Sequence, residues 1–174
     1  MKKGMIAVSR MVLPLFITAG IAKYLSVHIH KKEDQAYLKK NEESIKFRGY
    51  YNTLISWMGL LQNGSTIAEY FSESSSVAVY GMGKIGELIC RELMENGIQV
   101  SYGIDGNASG ENLATGLQVY LADKKNLPEV DFIVVSINHL ADSIIPQLEE
   151  LTSAEIITID ELLEAVWDEK SIQN

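Results

Sequence analysis

The chain has almost no cysteine: one, Cys90, in 174 residues. A single thiol excludes an internal disulfide framework. Its place inside an apolar helical pattern points to a buried, reduced side chain. Histidine is nearly as scarce, with three. His28 and His30 are two apart and fall on different helix faces, and no Cys/His cluster has metal-ligand spacing. No metal is expected. A long hydrophobic run is missing too. Within residues 5–27 the uncharged stretch is Met11–Ala22, twelve residues between Arg10 and Lys23, whereas a spanning helix needs about 20. Basic residues are sparse after residue 48. Residues 49–174 hold five Lys/Arg and nineteen Asp/Glu, a net of −14, which disfavours nucleic acid as a partner.

The basic residues sit instead at the start. Residues 1–48 hold ten Lys/Arg and four Asp/Glu, a net of +6, the sign suited to anionic lipid. Snorkelling of Arg10 and Lys23 would extend the apolar segment to Met5–Val27. Membrane association is the leading expectation for this segment. A packing or oligomer helix and a cleaved signal peptide behind Lys2 and Lys3 are its rivals. Lys23, Lys31, Lys32, Lys39 and Lys40 follow the segment, which favours a domain on the cytoplasmic face of the cell membrane.

At 47% hydrophobic and 22% charged the rest has globular composition. The expected organisation is a membrane-associated or packing helix over 1–32, a helical segment over 33–72, and a nucleotide-binding domain over 73–174. Residues 33–63 contain no proline. Tyr50, Leu54, Ile55, Trp57, Met58 and Leu61 recur at three- and four-residue spacing and predict a buried helical stripe. Asn63-Gly64 is a stop signal, and Thr66-Ile67-Ala68-Glu69 a capping box.

From Val77 strands and helices alternate. Strands are expected over 77–80, 98–104, 117–120, 132–137 and 155–159. Helices are expected over 84–96, 140–151 (kinked or restarted at Pro146) and 160–167, with Asp160 as N-cap. The fold predicted is α/β: a doubly wound, parallel, five-stranded Rossmann-like sheet in the order 3-2-1-4-5, preceded by an N-terminal helical region.

Gly81-Met82-Gly83-Lys84-Ile85-Gly86 follows the first strand and opens a helix. Gly81 allows a tight turn, Gly83 close approach of a phosphate, and Gly86 close helix–strand packing. Asp105 ends the second strand, nineteen residues after Gly86, where an acid accepts hydrogen bonds from ribose hydroxyls and disfavours a 2′-phosphate. Ser136 and Asn138, at the C-terminal end of the fourth expected strand, face the same crevice. His139 is the one histidine of this domain and the weak candidate for acid/base chemistry. No second acid, base or nucleophile is placed beside it by the sequence, so capping or ligand contact is expected of Asn138 or His139 before catalysis. Tyr120 and Lys124 have Tyr-x-x-x-Lys spacing, but Tyr120 ends a strand, so the pair does not share a helix face. No region that could form a substrate domain follows the fifth strand, which favours recognition over redox chemistry.

Tyr50–Trp57, Gly64-x-x-Ile67-Ala68-x-Tyr70-Phe71, Val77–Gly86 and the "YGIDGN" of residues 102–107 together resemble a Rossmann-like module of bacterial surface-polysaccharide loci. More distantly they resemble the nucleotide-sugar-binding N-terminal domain of sugar acyltransferases and the CoA-binding-like domain of sugar-epimerase membrane proteins. Gly81, Gly83, Gly86, Asp105 and Asn107 match the glycine turn and the acidic element after strand two. The β-helix of the acyltransferases and the epimerase core have no counterpart here. The resemblance implies NAD or a nucleoside-diphosphate sugar as ligand and polysaccharide-assembly enzymes as partners, while the missing β-helix and epimerase core argue against a transferase or epimerase reaction by this chain alone. A homodimer is a further expected partner state. The open alternatives are a small NAD-dependent sugar-modifying oxidoreductase or epimerase completed by a partner, and a scaffold with a vestigial turn.

Overall fold

A computed structural model describes residues 31–32, 34–35, 37–107, 110–123 and 127–173, the last four as backbone only. The chain divides into two compact units, 1–47 and 48–174. The described residues of the first unit are helical. Among the described residues no helix is long and apolar enough to cross a membrane. The expected membrane segment 5–27, His28 and His30, and Lys124 lie outside the described residues.

The second unit opens with helical residues 48–62 (α1). Gly64, at φ +72°, turns the chain out of the helix. Thr66 and Glu69 then form both halves of a capping box over a 3-10 turn, Ile67–Tyr70. Next come β1 (Ser76–Tyr80), α2 (Lys84–Glu95), β2 (Gln99–Asp105), β3 (Gly110–Glu111), β4 (Gln118–Leu121), β5 (Phe132–Val135), α3 (Ala141–Glu149), β6 (Glu155–Thr158) and α4 (Ile159–Gln173).

One mostly parallel sheet runs β3-β4-β2-β1-β5-β6. It has six strands, not the five expected from the sequence. The extra strand, β3, pairs antiparallel with β4 through Gly110 opposite Val119 and Glu111 opposite Gln118. It lies between the expected strands 98–104 and 117–120, where two residues held by backbone hydrogen bonds leave no hydrophobic alternation. The other strands pair in parallel.

Alternation along β1 builds two cores. Val77 and Val79 meet Trp57 and Leu60 of α1, Ile89 and Leu93 of α2, and Leu162, Leu163 and Val166 of α4. Ala78 and Tyr80 face the other way, with Tyr102, Ile104, Ile133 and the α3 residues Ile144 and Leu148. Helices thus cover both faces of the sheet. Ile89 and Leu93 are fully buried, which stabilises the fold by about 1.5–3 kcal/mol each. Pro146 lies inside α3, which neither stops nor restarts there.

Two sequence expectations are corrected. Asp160 does not cap α4. Thr158 does: its Oγ1 accepts from the Glu161 N–H at 3.2 Å, while the Glu161 carboxylate accepts from the Thr158 N–H at 2.8 Å. The α1 stripe is also rotated from its expected setting. Trp57 is buried with Thr53 and Leu60, but Leu54, Ile55, Met58 and Leu61 are exposed. Polar anchors set this rotation. The Trp57 indole donates to Glu92 Oε2 at 2.6 Å, and Thr53 Oγ1 donates to Asp160 Oδ1 at 2.6 Å.

Candidate functional site

The site lies at the C-terminal end of β1, where the strand order turns back between β2 and β5. Gly81 carries the chain out of the strand at φ +88°, a left-handed conformation that favours glycine. Its N–H donates to Ile104 O at 2.7 Å, so the turn is still pinned to β2. A Cβ at Gly81 would also come within 2.5 Å of Ser136 Oγ. That hydroxyl donates to Gly81 O at 2.7 Å and is buried. Ser136 therefore fixes the turn from the β5 side.

Gly86 has the packing role. A Cβ there would fall on the carbonyl oxygen of Gly81, so only glycine lets α2 sit this close to the strand end. Gly83 differs from both. It caps α2 at φ −82°, which any residue adopts, and a Cβ would meet nothing within 4 Å. Neither backbone nor packing requires glycine at this position. It is exposed and supplies no side-chain cap to the helix. The first N–H groups of α2 have no acceptor within the helix, and the helix dipole makes this end attractive to anions.

Lys84, the first residue of α2, is almost fully exposed and bridges to Glu87 at 3.1 Å. Asn112 Nδ2 approaches the same carboxylate at 3.5 Å. The Lys84 hydrogen bond is the foremost reason that the Glu87 carboxyl lies below its ordinary pKa. Ile85 is half-buried and packs against the core.

Asp105 is tied to the turn. Its Oδ2 accepts from the Met82 N–H at 3.0 Å, and its Oδ1 accepts from the Asn107 N–H at 2.8 Å. Each oxygen keeps a further lone pair. Met82 lies over β2: a Cβ at Gly103 would come within 2.6 Å of Met82 Cγ and Sδ. The sequence reading did not single out Gly103, although a glycine inside a strand signals close approach. Tyr80, beneath the site, has its hydroxyl pKa raised by burial and then by Asp105, which suits a neutral phenol.

Asn138 lies two residues beyond Ser136. Its Nδ2 donates to Thr53 Oγ1 at 3.1 Å, and the Thr53 hydroxyl in turn faces Asp160. Its Oδ1 is buried without a partner among the described residues. This chain joins the β5 end to α1 and α4. Thr53 and Asp160 were not read as a pair in the sequence, where 107 residues separate them. His139 is exposed and meets the Tyr50 ring edge-on, with centroids 5.8 Å apart. Tyr120 stacks edge-on against Tyr102 at 5.3 Å.

Two clefts open on this unit, the second at the Thr53–Asp160 pair. One, of about 350 Å³, separates α1 from α2. The other, of about 360 Å³, lies between α1 and α4 beside Asn52, Ser56 and Glu164. Among the described residues no group of three His, Cys, Asp or Glu side chains is placed to hold a metal ion. No family model matches the chain, and no curated protein matches it.

Proposed function

We propose that residues 73–174 form a doubly wound, Rossmann-like module that binds NAD or a nucleoside-diphosphate sugar by its diphosphate at Gly81–Gly86, for recognition rather than catalysis. The observation that carries this reading is Gly83. Gly81 and Gly86 are explained by the fold's own sterics, whereas Gly83 leaves open space before an uncapped helix terminus. A phosphate seated against backbone N–H groups needs that space. Lys84 is positioned to add a positive charge. The remaining lone pairs of Asp105 accept ribose hydroxyls, and Asn107 holds that carboxylate in place. Ser136 and Asn138 support the site through Gly81 and Thr53.

His139 rests edge-on against Tyr50, which supports a packing role for this side chain over proton transfer. The resemblance to modules of surface-polysaccharide loci supports a setting at the cytoplasmic face of the cell membrane. There the basic N-terminal residues would meet lipid, and polysaccharide-assembly enzymes would be partners. Titration calorimetry of the full chain with NAD and with UDP-sugars tests the reading. One of them is expected to bind, and Gly83→Glu to weaken it at least about tenfold, equivalent to about 1.4 kcal/mol, with unchanged thermal stability. Absence of binding by both would overturn it. Reduction of NAD by a sugar substrate would replace recognition with catalysis.

A further inference from the structure

Helix α1 is apolar on two faces. Thr53, Trp57 and Leu60 face the domain and are at most 4% exposed. Tyr51, Leu54, Met58 and Leu61 are 65%, 37%, 54% and 47% exposed. Their spacing of three, four and three residues is that of a helix–helix seam. Ile55 flanks this stripe, and Leu88 of α2 faces the same groove, both exposed. A helix with apolar residues on both faces is ordinarily covered on both.

The exposed residues amount to on the order of 600 Å² of surface per copy, at the top of the range of about 300–600 Å² for the largest apolar patch of a typical monomer, a size that is often functional. Buried completely, two such patches together reach on the order of 1,200 Å², the lower bound for a specific protein interface. The groove between α1 and α2, about 350 Å³, gives one copy's seam a place to insert. Its rim on α2 carries Arg91 and Glu95, one turn apart and of opposite sign, both exposed. A two-fold axis passing between these two rim positions can set Arg91 of one copy opposite Glu95 of the other, and then also the reverse.

We propose that two copies of this chain pair about a two-fold axis through the Tyr51–Leu61 seam of α1 and the adjoining groove on α2. The pairing is independent of ligand binding at the glycine turn.

Sedimentation velocity on the full chain in mild detergent tests it. The expected species has twice the 19.3 kDa chain mass. Met58→Glu and, separately, Leu88→Glu are each expected to raise the dimer dissociation constant about 100-fold, with unchanged circular dichroism. Cys90 is buried, so Met58→Cys introduces an accessible thiol on the seam and, with copper–phenanthroline added as oxidant, is expected to form a disulfide-linked dimer. Ser56→Cys, exposed on the other cleft, is expected not to. The proposal is overturned by a monomer at about 100 µM, by a dimer that neither Glu variant weakens, or by equal cross-linking at both cysteine positions. A monomer whose Met58→Cys thiol is unmasked by deleting residues 1–30 would overturn it in favour of the chain's own N-terminal segment. Met58-dependent retention on phosphatidylglycerol vesicles by a monomer would overturn it in favour of lipid.

Discussion

The Met82 N–H donates to the Asp105 carboxylate across 3.0 Å, so the acid at the end of β2 is a strut for the turn at the end of β1. Asp105→Ala removes the acceptor of two backbone N–H groups, those of Met82 and Asn107. The expected loss is about 1–3 kcal/mol of stability, read by urea denaturation. Ligand affinity is expected to fall as well, since the same oxygens are those proposed to accept ribose hydroxyls.

Gly86 and Gly83 separate fold from function. Gly86→Ala drives a methyl group into the Gly81 carbonyl and is expected to cost about 1–3 kcal/mol or more, as overpacking does. Gly83→Ala meets open space and is expected to stay within about 0.5 kcal/mol of wild type. Paired denaturation and calorimetry curves check both. Equal destabilisation by the two variants would remove the argument built on Gly83.

Glu92 gives a pH signature. Its carboxyl is raised above the ordinary 4.5, chiefly by burial, against opposing hydrogen bonds from the Ile67 N–H and the Trp57 indole. A carboxyl raised in the folded state favours folding most when protonated. Its contribution is present below the unfolded pKa and is lost as pH rises through the folded one. Wild type should therefore gain stability relative to Glu92→Gln as pH falls from neutral to 4. Urea denaturation at the two pH values measures the difference, and an equal gap at both would contradict the shift.

Cys90 reports global unfolding. It is fully buried, and burial pushes its thiol up to about 12. A disulfide reagent at pH 8 is expected to leave the native chain unlabelled and to modify one thiol after urea unfolding. Rapid native labelling would show local opening around α2.

Thr53 links the β5 end to α4. Thr53→Val takes away the acceptor for Asn138 Nδ2 and the donor for Asp160, with an expected cost of about 1–3 kcal/mol. A double-mutant cycle with Asp160→Asn is expected to show coupling of at least about 0.5 kcal/mol.

The strand, turn and helix from Ser76 to Glu95 are legible in the sequence, because a buried apolar run, three glycines and a helical period coincide there. The capping box at Thr66 is legible for the same reason: side chain and spacing carry the signal. What escaped was held by other means. Strand β3 is two residues of backbone pairing with no side-chain pattern. The rotation of α1 is set by Thr53 and Trp57 reaching acids far along the chain, so periodicity found the helix and not the face it buries. At α4, Thr158 and Asp160 are both good caps by composition. The Glu three residues after Thr158 is what selects it, and that spacing was available to be read.

Gly103 leaves room for Met82, and the consequence reaches beyond one molecule. A mutation at either position alters the value of the other, so the two form a heritable pair. Gly103→Ala alone forces the Met82 side chain off its place over β2. The same change following Met82→Ala should pass nearly unnoticed. Descendants of this chain should therefore keep Gly with a long side chain at these positions, or lose both together, and rarely carry the mixed states.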